Sequence, residues 1–397
     1  MKAHSKPIRS LISGQLCIEY IDFKGRDPKA PSVYIQAGIH GDELQGFIVA
    51  QHLIDYFSSH PPLGDIRIVP LANAMASNAK TGEYTYGRFC TDTGENWNRH
   101  YLDLVSYLKE ETAPSPFLDF ESWVSTFDVE NPHVIDAKFK EAMKQALDKY
   151  LEKPMAYHKK LCAQLQRLSI GYDTVLDLHC DSGSVPYVYT PSYALESAAY
   201  FGFEFCVSIP KKFGGALDEA AFYPWWCFQE QLHQNSPKHF SKQPKFESFT
   251  LELGDMQSCN LKDLDMHLQA ILSYLYYRGS CEEKVQNRPP SPEWEQVYCE
   301  YEDFVNVWAT EGGFFHSQVQ VGQKVNKGDV LGVLYRSSVS LGLEGPQSYL
   351  QNITKPIVAP ENAYIVAITS AGSVHEGMDL FRILRSPKSI TRSDIKK

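Results

Sequence analysis

Residues 33–43, VYIQAGIHGDE, contain the pattern that decides the fold. The apolar run 33–37 is typical of a buried strand, and residues 46–58 carry apolar side chains at helical spacing. His40 and Glu43 lie in the turn between them, three positions apart, so both side chains can point at one site. An imidazole and a carboxylate at this spacing can serve as two zinc ligands. An isolated His-x-x-Glu pair is more often a surface salt bridge or a helix cap.

A third ligand is predicted in residues 175–181, VLDLHCD. His179 ends an apolar strand, at the edge where open α/β sheets bind their ligands. It completes a set of three ligands and leaves one position for water, as a catalytic zinc site requires. The alternative is a hydrogen-bonded histidine at a strand end. Asp177 lies on the same strand face and is either an orienting partner of a ligand or a structural buried acid, whereas Cys180 points to the opposite face.

The remaining apolar runs predict an α/β protein with a strand-helix alternation and a separate C-terminal part. We expect a hydrolase domain over residues 1–280 with a helical insertion at about 101–170, a linker over 281–297 and a β domain over 298–397. Pro289, Pro290 and Pro292 favour the linker because proline cannot continue a helix or a central strand. Residues 216–226 are rich in aromatic side chains and predict a loop that either lines a pocket or forms a packed hydrophobic plug. A last long helix is expected over 260–277, with Asn260 as its N-cap.

The C-terminal part contains an approximate internal repeat, in which Gly322-x-x-Val325-x-x-Gly328 recurs as Gly372-x-Val374-x-x-Gly377. Each copy predicts a strand, a tight glycine turn and a second strand, that is, a hairpin. Two such hairpins resemble the barrel-sandwich hybrid of biotinyl and lipoyl carriers. The lysine that carriers present at a hairpin tip has no counterpart here, so we expect a structural β domain that packs near the site.

The stretches AGIHGDE (37–43) and DLH (177–179) resemble the zinc carboxypeptidase superfamily. Residues 69–79 (VPLANAMASNA) and 96–99 (NWNR) place the closer resemblance with its succinylglutamate desuccinylase/aspartoacylase family. The resemblance implies a zinc-carboxypeptidase-like mixed sheet flanked by helices, a small C-terminal barrel-sandwich-like β domain, and one zinc ion per chain bound by His40, Glu43 and His179. Nickel or cobalt could occupy the same ligands.

The family resemblance also implies the other site residues. Asn98 and Arg99 would bind a substrate carboxylate, Arg88 would polarise the scissile carbonyl, and Glu252 in SFTLELG (248–254) would be the general base and acid. The family often has Asp where this chain has Asn96. On the residue pattern alone, Arg99 could be a surface arginine and Glu252 a glutamate on an edge strand, facing water.

The expected function is hydrolysis of the amide bond in a small N-acyl amino acid that carries a carboxylate, with zinc-activated water as the nucleophile. The first alternative is a carboxypeptidase that acts on peptide C-termini. The second is a zinc-binding scaffold without activity. The intact set of ligands and general base disfavours the scaffold. Access separates the two enzymes, because a pocket capped by the C-terminal β domain would admit small molecules and exclude peptides.

Composition excludes several other classes. The chain has 397 residues with 38 Lys+Arg and 48 Asp+Glu, a net charge of -10, so we expect no nucleic-acid partner. No apolar run reaches the length of a membrane span, and no secretory signal is visible at the N-terminus. Nine cysteines without a Cys-x-x-Cys pair indicate reduced thiols and a cytoplasmic protein. Assembly into a homo-oligomer is left open.

Overall fold

The structure is a computed structural model that describes residues 1–111, 115–125, 132–238, 240–282, 295–344, 346–391 and 394. The prolines of the expected linker, at positions 289, 290 and 292, lie outside the described residues. The predicted domain division therefore stays a prediction.

The strands before the C-terminal part supply most of a large mixed sheet. In chain order they are β1 (Lys2–Ser10), β2 (Gln15–Phe23), β3 (Val33–Ala37), β4 (Ile66–Leu71), the short pair β5 (Lys80–Thr81) and β6 (Tyr84–Thr85), β7 (Thr174–Asp181), β8 (Tyr187–Pro191), β9 (Phe205–Ile209) and β10 (Glu247–Asp255). Those of the C-terminal part are β11 (Glu295–Glu300), β12 (Phe304–Trp308), β13 (Gly313–Ser317), β14 (Lys324–Val325), β15 (Val330–Tyr335), β16 (Thr354–Val358), β17 (Ala363–Ile368), β18 (Ser373–Val374), β19 (Asp379–Arg385) and β20 (Lys388–Thr391).

The large sheet has ten strands in the order β1-β2-β4-β3-β7-β10-β8-β9-β11-β20. Strands β4, β3, β7 and β10 at its centre run parallel, whereas β8 is antiparallel to β10. Strands β3, β7 and β10 are buried at every position except Asp255, because helices cover both faces of the sheet. The carboxyl ends of β3, β7 and β10 consequently meet at one edge.

Helices lie on both faces of this sheet and at the edge of the C-terminal part. They are α1 (Gln45–Ser59), α2 (Ala74–Ser77), α3 (Leu104–Glu111), α4 (Phe120–Val124), α5 (Pro132–Leu151), α6 (Tyr157–Ser169), α7 (Leu195–Ala198), α8 (Leu217–Asn235), α9 (Leu264–Arg278), α10 (Val339–Gly342) and α11 (Tyr349–Ile353). Helices α1 and α9 share one hydrophobic cluster with Leu176 and Leu178 of β7, and α3, α5, α6 and α8 share another with Val175. Successive side chains along β7 thus point to opposite faces of the sheet and pack into two different hydrophobic cores. Within the described ranges, every helix is too short or too polar to cross a bilayer.

The structure corrects two local predictions. Residues 217–235 form helix α8 rather than a loop, and its aromatic side chains Phe222, Trp225 and Phe228 are buried in the core. The hydrophobic-plug alternative is therefore correct, and the helix tolerates Pro224 in its interior. Helix α9 begins at Leu264, so Asp263 rather than Asn260 occupies its N-cap position.

The C-terminal part contains two four-stranded antiparallel sheets, β12-β19-β17-β14 and β16-β15-β13-β18, around their own core. The hairpin prediction for the repeat is wrong in one respect. The two strands of each copy, β14 and β15 or β18 and β19, lie in different sheets and do not pair. The glycine turn therefore carries the chain from one sheet to the other, which is what a sandwich requires. Two short helices, α10 and α11, also lie within the predicted β domain.

The C-terminal part is fixed to the large sheet beside the strand that carries His179. Ser184 forms an isolated β-bridge with Ala367, and the Val185 amide donates to the Val366 carbonyl at 3.1 Å. Gly183 has a φ of +49°, and a Cβ there would lie 2.3 Å from the Ile368 carbonyl oxygen. Only glycine allows this approach, so the sequence at this turn fits the contact between the two parts.

Candidate metal and active site

The loop after β3 presents His40 and Glu43 at the carboxyl edge of the sheet. Both side chains are buried, and the loop is held by a hydrogen bond from the Gly41 amide to the Gly87 carbonyl at 2.9 Å. A Cβ on Gly41 would lie 2.1 Å from the backbone of Ala76. The glycine in the motif therefore permits close packing of this loop against its neighbours.

His40, Glu43 and His179 converge on one point. The Nδ1 atom of His40 lies 2.7 Å from Glu43 Oε1, and the Nδ1 atom of His179 lies 2.6 Å from Glu43 Oε2. The three side chains are 2–3 % exposed, and their ligand atoms all lie within 4.8 Å of one another. Parallel pairing of β3 with β7 brings residues 136 positions apart into this contact.

The opposite ring nitrogens of both histidines have their own partners. His40 Nε2 lies 2.9 Å from Asn96 Oδ1, and His179 Nε2 lies 2.9 Å from Asp177 Oδ2. An Nε2–H group that donates to each oxygen leaves Nδ1 with a lone pair that faces Glu43. A neutral imidazole that donates through Nε2 in this way has its Nδ1 atom free to bind a cation.

The electrostatics of the three residues are strongly perturbed. Burial would raise the pKa of Glu43, but the neighbouring imidazoles of His40 and His179 hold it well below its usual range. Burial would lower the pKa of His179, yet the carboxylates of Asp177 and Glu43 raise it well above its usual value. A buried site that stabilises positive charge between two imidazoles and a carboxylate fits a divalent cation. Two nitrogen donors and one carboxylate donor form one of the ligand sets that catalytic zinc sites use.

Glu252 lies on β10, directly opposite His179 on β7. Its side chain is 8 % exposed, and its Oε2 atom has no hydrogen-bond partner among the described residues. Burial, together with the nearby carboxylates of Asp181 and Glu43, raises the pKa of Glu252 to about 8. Strand β10 is central in the sheet, so the alternative of an edge glutamate facing water does not hold.

Arg88 extends to the same group of residues from the segment after β6. Its Nη1 atom donates to Glu43 Oε1 at 3.0 Å. Burial would lower the pKa of Arg88, but the surrounding carboxylates, Glu43 first among them, raise it. The hydrogen bond between Gly41 and Gly87 fixes the arginine's backbone next to the loop that carries His40.

Asn98 and Arg99 occupy different environments although they are adjacent. Asn98 is buried, with its amide nitrogen 3.3 Å from His179 Nε2 and its Oδ1 atom accepting from the Leu217 amide at 3.3 Å. Arg99 is exposed, and its guanidinium donates to the Asn98 carbonyl at 2.6 Å. The structure thus brings Asn98 to the histidines and leaves Arg99 at the surface.

A cavity of about 300 Å³ borders the site. Arg88 lines it on one side, and the C-terminal part supplies residues 367–369 and 379–382 on the other. Sequence reasoning missed two of the lining residues, Asp181 and Arg382. Asp181 follows His179 by two positions and shares its strand face, so the period-2 pattern could have identified it. Arg382 has no local signal, because its position depends on how the C-terminal part packs.

The chain is similar to proteins of one family over nearly all of its length. Residues 29–127 match the succinylglutamate desuccinylase/aspartoacylase catalytic domain. A succinylglutamate desuccinylase/aspartoacylase family protein from Shewanella amazonensis is 30 % identical, with a TM-score of 0.85 over 98 % of this chain and 100 % of the other. A protein described in the same way from Shewanella frigidimarina is 29 % identical, with a TM-score of 0.86 over 98 % of both chains.

A succinylglutamate desuccinylase/aspartoacylase from Rhodobacter sphaeroides shares the fold alone, at 15 % identity and a TM-score of 0.63, over 96 % of this chain and 95 % of the other. No curated protein sequence matches the chain significantly.

Proposed function

Because the chain belongs to the succinylglutamate desuccinylase/aspartoacylase family, we propose that it is a zinc-dependent hydrolase that removes the acyl group from a small N-acyl amino acid. Membership of the family implies hydrolysis of an amide. The zinc dependence, the substrate class and the roles of individual residues are parts of the proposal.

The metal would be held by Nδ1 of His40, Nδ1 of His179 and the carboxylate of Glu43, one ion per chain. When bound there, zinc would polarise the scissile carbonyl and lower the pKa of a water molecule. Asn96 and Asp177 keep both imidazoles in the required orientation and tautomer through their contacts with Nε2.

Glu252 is suited to move the proton. Its Oε2 atom has no partner among the described residues, and a pKa of about 8 lets the carboxyl group both accept and release a proton near neutral pH. In this role Glu252 takes a proton from the attacking water and passes it to the leaving amine. Arg88 is placed to stabilise negative charge on the carbonyl oxygen, because its guanidinium lies beside the ligand Glu43.

The size of the cavity supports a small substrate. A volume of about 300 Å³ is at the lower end of the range for small-molecule sites, and residues of the C-terminal part close one side of it. This favours an N-acyl amino acid over a peptide C-terminus. Asn98 and Arg99 remain proposed ligands of a substrate carboxylate; Asn98 already lies beside His179, whereas Arg99 would have to turn away from the Asn98 carbonyl.

All nine cysteines are free thiols, which supports a reducing compartment such as the cytoplasm.

The buried convergence of His40, Glu43 and His179 next to Glu252 carries the proposal. The test is to incubate the zinc-loaded protein with a panel of N-acyl amino acids and short peptides and to detect released amino acids by mass spectrometry. Release from N-acyl amino acids alone is expected, with none from the metal-stripped protein or from His179→Ala, which should contain no zinc. Release of C-terminal residues from the peptides would instead identify a carboxypeptidase. Zinc binding without any release would indicate a scaffold.

A further inference from the structure

The wall that the C-terminal part contributes to the cavity contains a half-buried arginine. Arg382 on β19 lines the cavity together with Arg88, which lies on the side of the proposed metal ligands. Arg88 contacts Glu43 at 3.0 Å, so the cavity borders the reacting centre, and Arg382 belongs to the opposite part of the protein.

Arg382 is held in a built site. Its Nη1 atom donates to Asp181 Oδ2 at 2.6 Å, and its Nε atom donates to Asn306 Oδ1 at 3.2 Å. The guanidinium also lies over the ring of Phe304, with 5.6 Å between its carbon and the ring centroid. Asp181 Oδ2 accepts a second hydrogen bond from the Tyr187 hydroxyl at 2.8 Å. The side chain is therefore fixed before any ligand binds, which reduces the entropy lost on binding.

The guanidinium has donors that these contacts do not use. An arginine offers five N–H groups in a planar fork, and the bonds to Asp181 and Asn306 occupy only part of them. A further bond joins the guanidinium to Tyr187, which still leaves N–H groups of the fork beyond these three bonds, and Arg382 lines the cavity where a ligand could accept from them.

The charges that line the cavity favour an anion. Of the charged lining residues that are at least partly buried, Arg88 and Arg382 are cationic and Asp181 is anionic. Asp379 also lines the cavity but is exposed to solvent, which screens its charge. The inner wall thus carries an excess of positive charge, and a guanidinium fork pairs best with a carboxylate.

We propose that Arg382 is a specificity-determining residue that binds a substrate carboxylate remote from the scissile amide. The proposal rests on the proposed function, and it gives the C-terminal part a direct role in substrate choice. Arg99 does not line this cavity and donates to the Asn98 carbonyl. The carboxylate belongs either to the acyl group or to the amino acid side chain, and the experiment below distinguishes the two.

The test compares matched substrates with the zinc-loaded wild-type protein, Arg382→Met and Arg382→Lys. One arm varies the acyl group of a single amino acid among succinyl, succinamoyl and butyryl, which end in a carboxylate, an amide and a methyl group. The other arm varies the amino acid of an N-acetyl substrate between aspartate and asparagine and between glutamate and glutamine. Arg385→Met is the control, since Arg385 lies on the same strand, binds Asp303 and Glu361, and does not line the cavity.

We expect Arg382→Met to lower kcat/KM by about 10- to 100-fold for the carboxylate substrates of one arm and by less than about threefold for their neutral analogues. The arm in which the selective loss occurs identifies the source of the carboxylate. Arg382→Lys keeps the positive charge but lacks the planar fork of N–H groups. Its kcat/KM for the carboxylate substrates should therefore lie between those of the wild type and Arg382→Met. An equal loss for charged and neutral substrates, or no loss, would overturn the proposal.

A separate measurement keeps this proposal independent of the proposed function. If the wild-type protein hydrolyses none of the substrates, the deacylase proposal fails, and binding of succinate and of butyrate is then measured by calorimetry with the zinc-loaded protein. Weaker binding of succinate but unchanged binding of butyrate in Arg382→Met would still support a carboxylate site at Arg382. Unchanged succinate binding would refute it.

Discussion

Replacement of Glu252 by glutamine separates the chemistry of the site from its stability. The amide is nearly the same size as the carboxyl group, but it cannot accept a proton from water and return it to an amine. General acid–base catalysis by a positioned carboxylate contributes about 10²- to 10⁴-fold. We therefore expect Glu252→Gln to retain zinc and to lose at least about 100-fold in kcat.

The same substitution should stabilise the metal-free protein in a pH-dependent way. Burial raises the pKa of Glu252 from 4.5 in the unfolded chain to about 8 in the folded protein. Between these values the folded protein retains a proton that the unfolded chain has released, so wild-type stability falls as the pH rises from 4.5 to 8. At pH 7 this difference is worth about 3 kcal/mol. A glutamine side chain does not titrate, so the Glu252→Gln protein does not lose this stability as the pH rises.

The assay is urea unfolding of metal-free wild type and Glu252→Gln at several pH values between 4.5 and 8.5. The control is Glu247→Gln, a buried glutamate on the same strand that accepts hydrogen bonds from the Ser197 and Tyr274 hydroxyl groups at 2.6 Å. Glu247→Gln should leave turnover unchanged, because Glu247 lies at the opposite end of β10 from the site. Full activity of Glu252→Gln would refute the proton-transfer role. A stability difference that is constant across the pH range would refute the argument from burial.

Three further predictions concern the surroundings of the site. Asp177→Ala should weaken zinc binding about 10- to 100-fold, with a smaller loss for Asp177→Asn, which keeps an acceptor; competition with a chromophoric chelator measures both. His267 is buried and its pKa is lowered to about 4, so the wild type should lose about 3 kcal/mol relative to His267→Gln as the pH falls from 6.5 to 4, as measured by denaturant unfolding. Gly183→Ala should lower the Tm more than Gly82→Ala, because both have positive φ but only Gly183 would place its Cβ against another backbone, 2.3 Å from Ile368; equal shifts would contradict this reasoning.

The parts of the site that lie within one short segment were predictable. His40 and Glu43 are three residues apart in one turn, so their side chains can point at the same site. Asp177 and His179 are two residues apart on one strand, so they share the same face of the sheet. The strand boundaries near them also agree closely with the sequence pattern: 33–37 was expected and Val33–Ala37 is observed.

Predictions that depended on packing were less accurate. Aromatic density in residues 216–226 suggested a loop, but the segment forms α8 because its apolar face is covered by α3, α5 and α6. The glycine repeat suggested two hairpins, whereas each turn connects two sheets. In both cases the local pattern is compatible with more than one structure, and burial against distant residues selects one.

The sequence by itself determined the ligand types, their local spacing and the family. The tertiary structure decided which of the polar residues meet. Parallel pairing of β3, β7 and β10 brings His40, His179 and Glu252 to one edge of the sheet, and the docking of the C-terminal part places Arg382 opposite Arg88. These contacts join residues between about 70 and 300 positions apart. Spacing along the chain constrains neighbours within a turn or a strand, whereas contacts at this range are fixed only when the sheet order and the packing of its two cores are complete.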